Sequence, residues 1–218
     1  ELIDNFSKVF NAGYSNSSVR ISPDQWTSFL MMLTDSLGTL PQFESIESDK
    51  KTISEKNEIV TNLEVIAPLA KGQLDPSNKI VISDKERSKV QEFITLNNPK
   101  PFVVIHLGAR DKARRWPAER FAEVIAFINK KYSMPCVLVG GPDDNQLNEE
   151  CLTLIKSKHN YNVVGEFNLN EYAALCERAS LFLGNESGPL HIAAAMNIPT
   201  IALFGPGVKD VFYPMSDK

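Results

Sequence analysis

Two stretches of this chain concentrate side chains able to neutralise and orient a phosphorylated ligand. The first is His106-Leu107-Gly108-Ala109-Arg110-Asp111-Lys112-Ala113-Arg114-Arg115-Trp116-Pro117. A Gly108-Ala109 turn lets backbone N–H groups come close to an anion. Lys112, Arg114 and Arg115 add positive charge, in a bidentate geometry where the residue is arginine. A solvated basic loop anchored by Trp116 is the alternative for the same residues. The second stretch is Gly184-Asn185-Glu186-Ser187-Gly188-Pro189-Leu190-His191. Ser187 or Gly188 can cap a helix that carries Pro189 in its first turn. Such a helix start presents N–H groups and a positive dipole end, which suit a pyrophosphate. Gly188 has no Cβ to obstruct close approach, and His191 can donate to a phosphate or a sugar hydroxyl. A plainly capped helix with a half-buried histidine fits the same residues. A third stretch, Gly140-Gly141-Pro142-Asp143-Asp144, places carboxylates where they can accept from ribose hydroxyls or cap a helix. Neither GxGxxG nor GxxxxGK[ST] occurs.

The 218 residues carry a net charge of −4, with 43% hydrophobic and 23% charged side chains. This is an ordinary globular composition, and the acidic balance argues against nucleic acid as the main partner. Cys136, Cys151 and Cys176 are widely spaced and odd in number, so they suggest free thiols rather than a zinc site or a disulfide framework. No apolar run approaches the ~18 residues that a membrane span needs. The chain begins with Glu1 rather than Met, and His159 reads as a surface residue.

The elements that must position these loops fall into two textures. Residues 1–99 are irregular, with helices expected over Pro23–Leu37, Glu58–Leu69 and Ser83–Leu96 and a strand over Lys79–Ile82. After the Pro99-Lys100-Pro101 hinge, short apolar runs alternate with helical patterns. Strands are expected at Phe102–Leu107, Cys136–Val139, Tyr161–Val164, Leu181–Leu183 and Thr200–Phe204. Helices are expected at Pro117–Lys131, Asp144–Lys158, Leu169–Ala179 (with Asn170 as a cap) and Pro189–Met196. Five strands separated by helices imply an α/β fold: a Rossmann-like parallel sheet with helices on both faces and ligands at its C-terminal edge.

Three separated stretches, HLGARDKARRWPAERFAEVI, VLVGGPDD and LNEYAALCERASLFLGNESGPLHIAAAMNIPTIALFGP, carry a resemblance. In order and spacing they resemble the family 9 glycosyltransferases, the group that includes the ADP-heptose:lipopolysaccharide heptosyltransferases. The resemblance implies GT-B architecture, with residues 100–218 as the nucleotide-sugar donor domain and 1–99 as a partial acceptor-side domain and linker. It implies that Arg114, standing where the family has lysine, contacts the donor phosphates, and that Lys112 belongs to the same basic cluster. Glu186, where the family has aspartate, continues with Ser187, Gly188 and His191 into the diphosphate and sugar loop. Asp144, less surely Asp143, matches the ribose contact, and Gly108-Ala109 matches the glycine-rich turn. Leu107 stands where the family has proline.

The activity implied is an inverting, metal-independent transfer of a sugar, heptose by resemblance, from a nucleotide-diphosphate donor to a lipopolysaccharide core or other glycan acceptor. No cofactor, bound metal or nucleic acid is implied. The setting implied is cytoplasmic, with peripheral association at the inner membrane. The family's catalytic-base motif has no counterpart in 1–99, so the catalytic residue is unknown and the chain is expected to be truncated at both ends. A non-catalytic nucleotide-sugar-binding fragment or degenerate homologue is the alternative.

Overall fold

The computed structural model describes residues 56–70, 72, 74–76, 79–99, 101–205 and 209–214. The helix expected over Pro23–Leu37 lies outside them. The chain divides into two compact units, Glu1–Ser54 and Glu55–Lys218, and the second holds every element described here.

Two helices precede the sheet: α1 (Glu58–Ile66, followed by a 3-10 turn at Ala67–Leu69) and α2 (Asp84–Asn97). Asn57 caps α1 by accepting from the Ile59 N–H, and its amide donates to the Tyr213 carbonyl at 2.8 Å. At the start of α2 the Glu86 carboxylate accepts from the Ser83 N–H, the return half of a capping box. The sheet elements follow as β1 (Val103–His106), α3 (Ala118–Tyr132), β2 (Cys136–Val139), α4 (Asn145–Thr153), β3 (Tyr161–Asn162), α5 (Leu169–Arg178), β4 (Leu181–Asn185), α6 (Gly188–Ala195), β5 (Thr200–Leu203) and α7 (Lys209–Phe212).

All strands are parallel, in the order β3-β2-β1-β4-β5. Right-handed crossovers explain the layering. Moving outward from β1 to β3 puts α3 and α4 on one face; the return to β4 and β5 puts α5 and α6 on the other. The packing agrees, since α3 contacts α4 while α5 contacts both α6 and α2. Burial follows the period of two. Val104, Val137, Val139 and Phe182 join Val90 and Ile94 of α2, Leu175 of α5 and Leu190 of α6 in one apolar cluster. Val103, Ile105, Leu138 and Leu183 alternate with them and are equally buried, as are Phe121, Ile125 and Ile128 of α3. Strands covered on both faces read as the continuous apolar runs seen in the sequence.

Several details differ from expectation. Lys79–Ile82 is not a strand; Ile80 and Ile82 pack against the core without joining the ladder, so the short apolar run is satisfied by packing alone. The helix expected over Asp144–Lys158 is shorter, ending at Thr153. Asn168, not Asn170, caps α5, accepting from the N–H groups of Asn170 and Glu171 while Glu171 returns a bond to the Asn168 N–H. Helix α2 packs on α5, with the Arg87–Glu177 and Lys89–Glu171 pairs bridging the two helices. Among the described residues no helix is long and apolar enough to cross a membrane.

Candidate donor-binding cleft

The chain reverses direction across the sheet between β1 and β4, and open α/β sheets bind ligands at the carboxyl ends of strands flanking such a point. A cleft of about 920 Å³ lies there. Three loops line it: the one after β1 (Ala109, Arg110, Arg114 and Arg115), the one after β2 (Gly141, Asp143 and Asp144), and the one from β4 into α6 (Glu186 to Pro189 and His191). His106, the last residue of β1, forms its floor.

Asn185 holds the loop after β1 in place. It is fully buried, and its side chain donates to the Leu107 carbonyl at 2.7 Å and accepts from the Trp116 N–H at 3.0 Å. The loop is braced at three further points. Asp111 caps the 3-10 turn at Lys112–Arg114, Arg115 Nε donates to the Ala109 carbonyl at 2.8 Å, and Trp116 meets Phe121 edge-on. Gly205, after β5, passes the Arg114 backbone so closely that a Cβ would sit 3.2 Å from its Cα.

Two electrostatic groupings share the cleft. In the first, Arg114 Nη1 donates to Glu186 Oε2 at 2.7 Å, and Glu186 is almost wholly buried. In the second, the buried His106 ring has Ser187 Oγ 3.2 Å from Nδ1 and Asp144 Oδ2 3.5 Å from Nε2. Asp144 also accepts from the Gly141 N–H at 3.1 Å. The His106 contact, more than any other, holds the Asp144 carboxyl below the usual carboxylate range, against burial that pushes it up. Burial pushes the His191 imidazole below its ordinary value, and the Glu186 charge pulls partly the other way. Ser187 occupies the N-cap position of α6, but its hydroxyl turns back to the Asn185 carbonyl at 3.0 Å, so no side chain caps the helix. Among the described residues no group of three or more His, Cys, Asp or Glu side chains is arranged to hold a metal ion.

Seven of the nine residues expected at the site, Ala109, Arg114, Asp144, Glu186, Ser187, Gly188 and His191, line this one cleft. Gly108 and Lys112 do not. Gly108 faces Asp144 instead of open space, and Lys112 is exposed on the 3-10 turn. Sequence reasoning passed over His106 and Asn185. Each had a signal: a polar residue ending an otherwise apolar, fully buried strand.

A parallel sheet of this order with a polar cleft at its switch point defines a Rossmann-like α/β unit of the GT-B type. The profile of glycosyltransferase family 9 (heptosyltransferase) matches residues 43–218. Lipopolysaccharide heptosyltransferase 2 of Salmonella typhimurium is 30% identical over 145 residues, covering 64% of this chain and 41% of that protein. Lipopolysaccharide heptosyltransferase 3 of Escherichia coli is 30% identical over 156 residues, covering 68% and 44%. Among solved structures, the E. coli ADP-heptose lipopolysaccharide heptosyltransferase II superposes with a TM-score of 0.59 at 28% identity, over 69% of this chain and 46% of that one. A family 9 glycosyl transferase from Veillonella parvula shares the fold, with a TM-score of 0.67 at 23% identity over 98% and 65%. The chain belongs to glycosyltransferase family 9. It spans about two fifths of the length of the curated relatives it matches.

Proposed function

We propose that this chain is the donor-binding part of a glycosyltransferase that transfers heptose from a nucleotide-diphosphate sugar such as ADP-heptose to a lipopolysaccharide core acceptor. The observation that carries the reading is convergence: the Arg114 loop and the Glu186–His191 turn, 72 residues apart through the Arg114–Glu186 bond, open on one cleft. One brings a guanidinium, oriented by Glu186, and the other an uncapped helix start. The transfer is read as inverting. A base deprotonates an acceptor hydroxyl, the hydroxyl oxygen attacks the anomeric carbon, and the bond to the diphosphate breaks with its electron pair staying on the diphosphate. Arg114, His191 and the α6 N-terminus would stabilise that departing charge, the work a divalent cation does in other transferases. Asp144 would take the ribose hydroxyls. The setting we propose is cytoplasmic, with peripheral association at the inner membrane.

Calorimetric titration with ADP tests this reading. Losing a charge-assisted hydrogen bond costs roughly 1.5–3 kcal/mol, so Arg114→Ala should weaken ADP by about 10- to 150-fold. ADP affinity unchanged by this substitution would overturn the assignment.

A further inference from the structure

Gly108 looks at first like a residue that lets a ligand approach the backbone, but its open side is already filled. A Cβ on Gly108 would lie 2.6 Å from Asp144 Cγ and 2.7 Å from its Oδ2, and all three nearest atoms belong to the Asp144 carboxylate. A Cβ on Gly140 would lie 2.7 Å from Asp144 Cβ. Neither glycine has a positive φ, so backbone conformation does not demand them. What a Cβ at either position would meet is the Asp144 side chain. The carboxylate is then held by hydrogen-bonding groups. Gly141 N–H donates to Oδ2, and His106 Nε2 stands 3.5 Å from the same oxygen. The side chain retains 14% exposure where it lines the cleft.

We infer that Gly108 and His106 are positioning residues that seat Asp144 at a fixed place in the cleft, so that the site reads the vicinal diol of the nucleotide ribose. Gly108 leaves the volume for the carboxylate and His106 fixes its orientation. A carboxylate oxygen so placed accepts from a ribose hydroxyl, and it repels a phosphate that strays from the Arg114 side. The same imidazole reaches Ser187 at 3.2 Å, so the loops after β2 and β4 are registered against one another through the end of β1. This inference rests on the donor-binding reading above.

The test is a double-mutant cycle between Gly108→Ala and Asp144→Ala, read by the affinities of ADP and of 2′,3′-dideoxy-ADP and by thermal unfolding. Gly108→Ala is the informative glycine substitution. The carboxylate it meets is absent in the Asp144→Ala background, whereas the Cβ facing Gly140 remains. The wild-type chain should prefer ADP over the dideoxy analogue by about 10- to 100-fold, the range of a hydrogen bond to a charged group. Gly108→Ala and Asp144→Ala should each reduce that preference to within about threefold while leaving dideoxy-ADP affinity within about threefold of wild type. In the Asp144→Ala background, adding Gly108→Ala should change neither affinity nor Tm. This arm decides the question even where Gly108→Ala alone fails to fold. His106→Gln, which keeps a donor, should retain more of the preference than His106→Leu. If Gly108→Ala lowers Tm equally with and without the Asp144 side chain, the seat is refuted. If the wild-type chain binds ADP and dideoxy-ADP equally, diol reading fails while donor binding stands. Failure of the wild-type chain to bind either nucleotide overturns both.

Discussion

Asn185→Ala and Asn185→Asp together probe whether one buried amide holds the phosphate-side loop against the sheet. Asn185 has no exposed surface, donates to the Leu107 carbonyl and accepts from the Trp116 N–H. Alanine orphans both backbone groups. Each buried orphan costs roughly 1–3 kcal/mol, so the pair should cost about 2–6 kcal/mol, a large fraction of a typical 5–15 kcal/mol total. At roughly 2–4 °C per kcal/mol for a unit of this size, Tm should fall by about 4–24 °C. Aspartate keeps the acceptor for Trp116 but sets a charged oxygen against the Leu107 carbonyl. The variant should therefore be at least as unstable as the alanine one at pH 7. Its introduced carboxyl has a folded-state pKa above its unfolded value, so the folded state binds the extra proton. Stability must then rise as pH falls from 7 toward 4, when the protonated group can donate to Leu107. Urea titrations at pH 7 and 5, referred to wild type at each pH, measure both effects. The tie is refuted by an alanine variant within about 0.5 kcal/mol of wild type, the scatter of ordinary surface substitutions, or by an aspartate deficit that does not shrink with acid.

Two other perturbations have defined signs. His191 titrates below its ordinary value because it is buried, so the unfolded chain binds the proton more readily and this contribution to stability is lost as pH falls below ~6.5. A diphosphate beside it should reverse the shift: ADP affinity should rise from pH 8 to pH 6 with net proton uptake, measured by calorimetry in buffers of different ionisation enthalpy and abolished in His191→Gln. Glu171 is held below the usual carboxylate range first by Lys89 and then by the Asn168 N–H. Its contribution is therefore present above the unfolded value of ~4.3 and lost in acid. Glu171→Gln should lower Tm at pH 7, and the difference from wild type should close near pH 3; a constant difference would remove the pair from the docking of α2.

Much of this was legible because a parallel sheet covered on both faces writes itself as apolar runs, and its loops inherit the chemistry. The strands expected at Phe102–Leu107, Cys136–Val139 and Leu181–Leu183 announced themselves by composition, although the last runs on through Gly184 to Asn185. Lys79–Ile82 misled because a short apolar run records burial and says nothing of pairing. The capping role of Asn168 was hidden because Asn168 and Asn170 have identical side chains, and only the reciprocal bond from Glu171 decides between them. At Gly108 the sequence could not name the neighbour. A glycine in a loop is equally consistent with ligand approach and with room for another side chain, and the occupant, Asp144, lies 36 residues away across the β1–β2 crossover.

The Arg114–Glu186 bond bears on how such a cleft can hold a diphosphate. An unpaired arginine in a half-buried loop would sample many rotamers and lose that freedom on binding. Here a buried carboxylate has already oriented the guanidinium, at 2.7 Å, while a guanidinium has five N–H donors and this bond spends one. Glu186 therefore lowers the net positive charge of the cleft yet pre-organises the guanidinium that the proposed function assigns to the diphosphate. Lysine in place of arginine would offer a point charge with three donors and no planar fork to share between carboxylate and phosphate. The side chains at 114 and 186 consequently act as a unit: the reach of one sets where the other can place positive charge.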